Sequence, residues 1–179
     1  MPKSNPPNAM TRPQGSVELL ETPVAKRLLA STVPARLAYV SLDGTPRVVP
    51  SWFQWTGAEL VMPTFISAPH VRHAAARLRA LRSNPDVAIT IDTESFPSEV
   101  VSIRGRASIS EVQGVDPDYA SAARRYMGEE PAAAYLAQID QPGTVMARIA
   151  VRPDWVGVVD FQTRLPSALG GVSDDDPTS

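Results

Sequence analysis

The sequence predicts an antiparallel α+β domain whose strands form a small barrel rather than an open sheet. Three observations carry that prediction. Short runs follow the period of two expected of strands, at Leu37, Tyr39 and Ser41, at Val48, Pro50 and Trp52, and at Val101, Ile103 and Gly105. Turn chemistry punctuates them at Asp43-Gly44, Thr56-Gly57 and Arg152-Pro153-Asp154. About six strands follow one another mostly directly, with three or four helices among them, the pattern of antiparallel α+β.

The elements follow in order. Met1 to Gly15 is rich in Pro, Asn and Ser and is expected to be a disordered tail. Thr22 caps a first helix with Pro23 at its first position; Val24, Leu28 and Leu29 form its apolar stripe, and Pro34 closes it. Arg36 to Thr64 reads as a meander of three strands, the third running from Glu59 to Met62. After a loop at Phe65 to Pro69, a helix is expected from Val71 to Ser83, burying Val71, Ala74, Ala75, Leu78 and Leu81. Pro85 bars its continuation. Strands are expected at Val87 to Ile91 and Val100 to Ile109, with a turn at Phe96 to Glu99 between them. Asp116-Pro117 opens a helix that ends at Gly128, and a second runs from Pro131 to about Ile139. Val145 to Val151 and Trp155 to Phe161 are read as two closing strands, followed from Ala168 by a solvated acidic tail.

Composition narrows the function. The chain has 179 residues, a net charge of −2 and no cysteine, so thiolate chemistry and disulfides are excluded. Its charge gives no case for nucleic acid or an anionic membrane as partner. No apolar run reaches membrane-spanning length and no signal-peptide core is visible, so a cytoplasmic location is expected. Only His70 and His73 could serve a histidine metal centre, and no metal site is predicted. The GxSxG, HExxH, Walker and GxGxxG motifs are all missing, and no side chain is assigned as general acid or base. Chemistry is therefore expected from a borrowed cofactor.

Basic residues concentrate at Arg47 and at Arg72, Arg77, Arg79 and Arg82. Arginines beside an apolar stripe most often form a solvated face. Their clustering in an acidic chain nevertheless points to an anion site of Arg47 and Arg77 with the hydroxyls of Ser51, Thr64 or Ser67. Arg72 and Arg79 are left to the surface. Trp52 is the candidate for stacking on a planar ring, whereas Trp55 and Trp155 are more naturally core or interface.

Several pieces carry a family resemblance. They are Leu37-Ala38-Tyr39-Val40-Ser41-x-Asp43-Gly44-x-Pro46, Val48-Val49-Pro50-x-Trp52-Phe53 and Leu60-Val61-Met62-x-Thr64. Further on come Arg77-Leu78-x-x-Leu81-x-x-Asn84-Pro85, Arg104-Gly105-Arg106-Ala107 and Val151-Arg152-Pro153-Asp154-Trp155. In order and spacing the chain resembles the pyridoxamine 5′-phosphate oxidase-like, flavin-binding split β-barrel superfamily. The resemblance implies a six-stranded split barrel with peripheral helices over residues 16–167, between tails at 1–15 and 168–179. It implies a homodimer with cofactor sites at the subunit interface, and a small-molecule substrate. By position, Arg47, Val48, Val49 and Pro50 would run along the ring and phosphate, Thr64 would lie near the phosphate, and Arg77 would stand where the family commonly has Lys. No histidine follows His73, so the Arg-x-His signature of true pyridoxamine phosphate oxidases is missing. The implied function is hydride transfer with FMN or the 8-hydroxy-5-deazaflavin coenzyme, the choice between them left open. The alternatives are a cofactor-sequestering protein and an FMN oxidase of the pyridoxamine phosphate type.

Overall fold

The structure is a computed structural model and describes residues 12–161. After a 3₁₀ turn at Val17–Glu21, helix α1 spans Pro23–Leu29. The Thr22 hydroxyl accepts from the Ala25 amide at 3.3 Å, satisfying an orphan donor of the first turn, and Val24, Ala25, Leu28 and Leu29 are buried. Strands β1 (Ala35–Val40) and β2 (Pro46–Ser51) form a hairpin whose turn uses Gly44 at φ +78°. Two short strands follow, β3 (Gln54–Trp55) and β4 (Leu60–Val61), then β5 (Thr64–Ser67), α2 (Arg77–Ser83), β6 (Asp86–Asp92) and β7 (Glu99–Gln113). Helices α3 (Pro117–Met127) and α4 (Glu129–Ile139) precede the last strand, β8 (Val145–Asp160). No helix among the described residues is long and apolar enough to cross a membrane.

The ladder runs β2-β1-β6-β7-β8-β4-β3, antiparallel throughout, with β5 also on β8. β2 and β3 stand at opposite ends of that order, yet only Trp52 and Phe53 separate them in the chain. The sheet must therefore curl until its ends meet, and no ladder closes the gap. This is the small barrel that the sequence predicted, in the split form that the family resemblance implied. Leu37, Phe53, Leu60, Leu78, Ile89, Ile103 and Ile149 fill its interior.

Five expectations are corrected. Eight strands replace six, because the third and fourth are two-residue pieces beside β5. The third strand of the expected meander does not continue onto β2; β4 pairs with β8 instead, at Leu60↔Val151. The helix over Val71 to Ser83 begins only at Arg77, since Ala68 and Val71 form an isolated bridge behind Pro69 and Ala76 offers no capping side chain. Ala74 is consequently exposed, and Leu78, Ala80 and Leu81 are the buried residues of α2.

The two closing strands are one. β8 carries Pro153 through a register shift in which Arg104 faces Trp155 and Gly105 faces Pro153, leaving Asp154 over as a bulge. A Cβ on Gly105 would stand 2.4 Å from the Arg152 carbonyl oxygen, so only glycine permits that approach. Finally, the last residues of the expected disordered tail are held. The Gln14 side-chain amide donates to Val158 O at 2.6 Å and accepts from Val158 N at 2.9 Å, and Gly15 N donates to Val156 O at 2.8 Å. Residues 1–11 and 168–179, the rest of the expected tails, lie outside the described residues.

Candidate functional site

Alternation along β1 and β2 puts Leu37, Tyr39, Arg47 and Val49 on the sheet face that looks inward, with Tyr39 directly opposite Arg47 and Leu37 opposite Val49. Val48 and Pro50 point the other way and are exposed. Helix α2 packs against β1 and β7 and delivers its first residue, Arg77, to Tyr39. Burial depresses the Arg77 pKa below its ordinary value, with Tyr39 opposing. No hydrogen bond or ion pair engages this guanidinium among the described residues. A half-buried cation without an acceptor is poised for an anion.

Arg47 stands differently. Its guanidinium bonds Asp43 Oδ2 at 2.9 Å and Pro46 O at 3.2 Å, and also reaches Thr45 Oγ1, fastening the hairpin turn. Bonds from the Thr45 hydroxyl and amide, then Arg47, hold the Asp43 carboxyl below the usual carboxylate range. Arg47 and Arg77 thus flank Tyr39, but Arg47 already has a partner.

The hydroxyls expected to join them are dispersed. Ser51 donates to Trp52 O at 3.0 Å and Ser67 to Gly143 O at 2.8 Å. Thr64 sits opposite Ala147 on the β5–β8 ladder. None of the three is bonded to either arginine.

Trp52 begins an aromatic wall. It stacks on Tyr126 with centroids 5.0 Å apart and planes at 9°, and lies 6.1 Å from Tyr119. Tyr119 meets Phe65 edge-on at 5.6 Å and shares a 2.7 Å hydrogen bond with the Tyr135 hydroxyl. Tyr126 covers one face of Trp52, and Trp52 itself is only partly buried. Sequence reading passed over this wall, although Tyr119 and Tyr126 lie seven residues apart in one helix and therefore share a face. It also passed over Arg125. His70 meets Phe65 edge-on at 4.9 Å beside a cavity of about 530 Å³, while His73 is exposed and bonds only the Ala74 carbonyl. Among the described residues no cluster of His, Asp or Glu could hold a metal ion.

Against known proteins, the sequence model described as pyridoxamine 5′-phosphate oxidase matches residues 22–158. Among solved structures, an F420 reductase is 27% identical with a TM-score of 0.54, over 73% of this chain and 93% of its own. A conserved hypothetical protein from Mycobacterium tuberculosis is 18% identical with a TM-score of 0.59, over 94% and 97% of the two chains. General Stress Protein 26 from Bacillus anthracis is 15% identical with a TM-score of 0.53, over 80% and 95%. These last two share the fold. No curated protein matches the sequence.

Proposed function

The chain belongs to the pyridoxamine 5′-phosphate oxidase family, and from that membership we propose an oxidoreductase that uses FMN or the 8-hydroxy-5-deazaflavin coenzyme. It would move hydride to or from a small organic substrate. The observation that carries this reading is Arg77, a half-buried guanidinium without an acceptor, set beside Tyr39 and across from Arg47. A cofactor phosphate fits that place, because its anionic oxygens supply the counter-charge that the Arg77 guanidinium lacks. Bound there, the cofactor contributes the hydride-carrying ring. The chain's own part is to clamp the phosphate through Arg77, to line the ring with β2 and Trp52, and to exclude water. The 27% identity to an F420 reductase favours the deazaflavin coenzyme.

A homodimer is part of the same reading. Val40, Leu42 and Val48 are exposed at 37%, 58% and 63% on one hairpin, an apolar patch suited to a second copy of the chain. A cytoplasmic location agrees with a soluble redox cofactor. The second reading is a protein that holds the cofactor without turnover, and it is favoured by the want of any acid–base pair in the site.

Fluorescence titration with each cofactor, followed by steady-state reduction of a panel of enones and quinones, tests both readings. Turnover with either cofactor supports the enzyme; binding without turnover across the panel leaves the sequestering protein. Arg77→Ala should weaken cofactor affinity by about 1.5–3 kcal/mol, the scale of a charge-assisted hydrogen bond. Arg47→Ala should cost less, since Arg47 is exposed and engaged by Asp43. Unchanged affinity in both variants would place the phosphate elsewhere.

A further inference from the structure

A second cation lies apart from Arg77, in a cavity of about 430 Å³ between the 3₁₀ turn, α1, β3 and α3. Leu20, Leu29 and Trp55 give this cavity apolar walls, and Arg125 of α3 reaches into its lining. The guanidinium of Arg125 is half-buried. It bonds Gln54 Oε1 at 2.9 Å and the Phe53 carbonyl, and lies 4.6 Å from the Phe53 ring centroid. Every one of these acceptors is neutral. Its Nε is buried without a hydrogen-bond partner, and no carboxylate pairs with it among the described residues. At the rim, Lys26 and Glu21 bond each other at 2.7 Å and cancel. The net charge presented by the lining is therefore the one on Arg125.

A cavity with apolar side chains on one part of its wall and one guanidinium without a carboxylate partner has a defined complement. A carboxylate satisfies the charge through paired hydrogen bonds, and an apolar ring fills the space between Leu20, Leu29 and Trp55. We propose that this cavity binds a small aromatic monocarboxylate, with Arg125 holding the carboxylate and Trp55 against the ring. The site is distinct from the one built on Arg77, and it adjoins the aromatic wall, since Arg125 also lies 5.1 Å from the Tyr126 ring.

Benzoate, with benzyl alcohol as its neutral counterpart, tests the proposal by intrinsic tryptophan fluorescence and calorimetry on the full chain. Benzoate should change the emission through Trp55 and bind at least about tenfold more tightly than benzyl alcohol, the ratio expected of one charge-assisted contact. Arg125→Gln should remove that preference. Because Arg125 also ties α3 to Phe53, a second variant is needed that leaves it in place. Ser121→Phe, at an exposed position in the cavity lining, should block benzoate while leaving the melting temperature near that of the parent. Arg77→Ala should keep benzoate binding intact. Equal affinity for the acid and the alcohol, or benzoate binding that survives Ser121→Phe or is lost with Arg77→Ala, would overturn the assignment.

Discussion

Arg148, Arg125 and Arg77 each carry a guanidinium below the surface, and each meets the problem of its charge differently. Arg148 bonds Asp118 at 3.1 Å and Glu59 at 3.3 Å, so two carboxylates share it. Arg125 relies on neutral oxygens and aromatic faces. Among the described residues Arg77 has neither, which is why the proposed phosphate clamp rests on it rather than on Arg47. The sequence points to both arginines of the proposed clamp but does not rank one above the other. The Arg47–Asp43 bond is an i, i+4 contact across a turn, and its formation depends on how the hairpin closes. Tyr119 shows a second residue-level effect. Burial first, then the bond to Tyr135, raises its phenol pKa well above the ordinary 10.0. Above about pH 10 the unfolded chain releases this proton and the folded chain keeps it, so stability is present below that pH and lost as pH rises. Tyr119→Phe should flatten the fall in melting temperature between about pH 10 and 11, followed by circular dichroism.

Among the elements, α1 and α3 were legible because their starts are written in side-chain chemistry. Thr22 and Asp116 cap, and a proline follows each. Helix α2 is shorter than expected because Val71 to Ala76 has helical spacing, while its conformation is decided by a bridge from Ala68 to Val71. β8 was divided in two because Pro153 reads as a break. A bulge at Asp154, next to that proline and set by its pairing with Arg104 and Gly105 of β7, absorbs it, and no local pattern announces it. Gly105 is the test of that account. Gly105→Ala should destabilise by about 1–3 kcal/mol in urea unfolding, the range for forcing a methyl group into filled space, because its Cβ would meet the Arg152 carbonyl. A neutral outcome would mean that the bulge relaxes freely.

For the molecule as a whole, class and barrel followed from the sequence, since short strands and regular turns leave few alternatives. The strand order did not. That β4 joins β8 while β2 stays unpaired on one side depends on how the sheet curls, which is a property of all its strands together. Assembly belongs to this scale as well. If the exposed face of the β1–β2 hairpin seats a second copy, Val48→Asp should move the protein from dimer to monomer in size-exclusion chromatography with light scattering. A dimer that persists would direct attention to another face.

The β1–β2 hairpin also bears on what the protein avoids. β2 ends the hydrogen-bonded order and carries prolines at both of its ends' approaches, Pro46 and Pro50. Each proline lacks an N–H, so a foreign strand aligned on this margin meets an interrupted row of donors. Side-by-side extension into a continuous intermolecular sheet is thereby discouraged, whereas side chains such as Val48 remain available to a face-on encounter. The same six residues thus permit a finite assembly and resist an open-ended one.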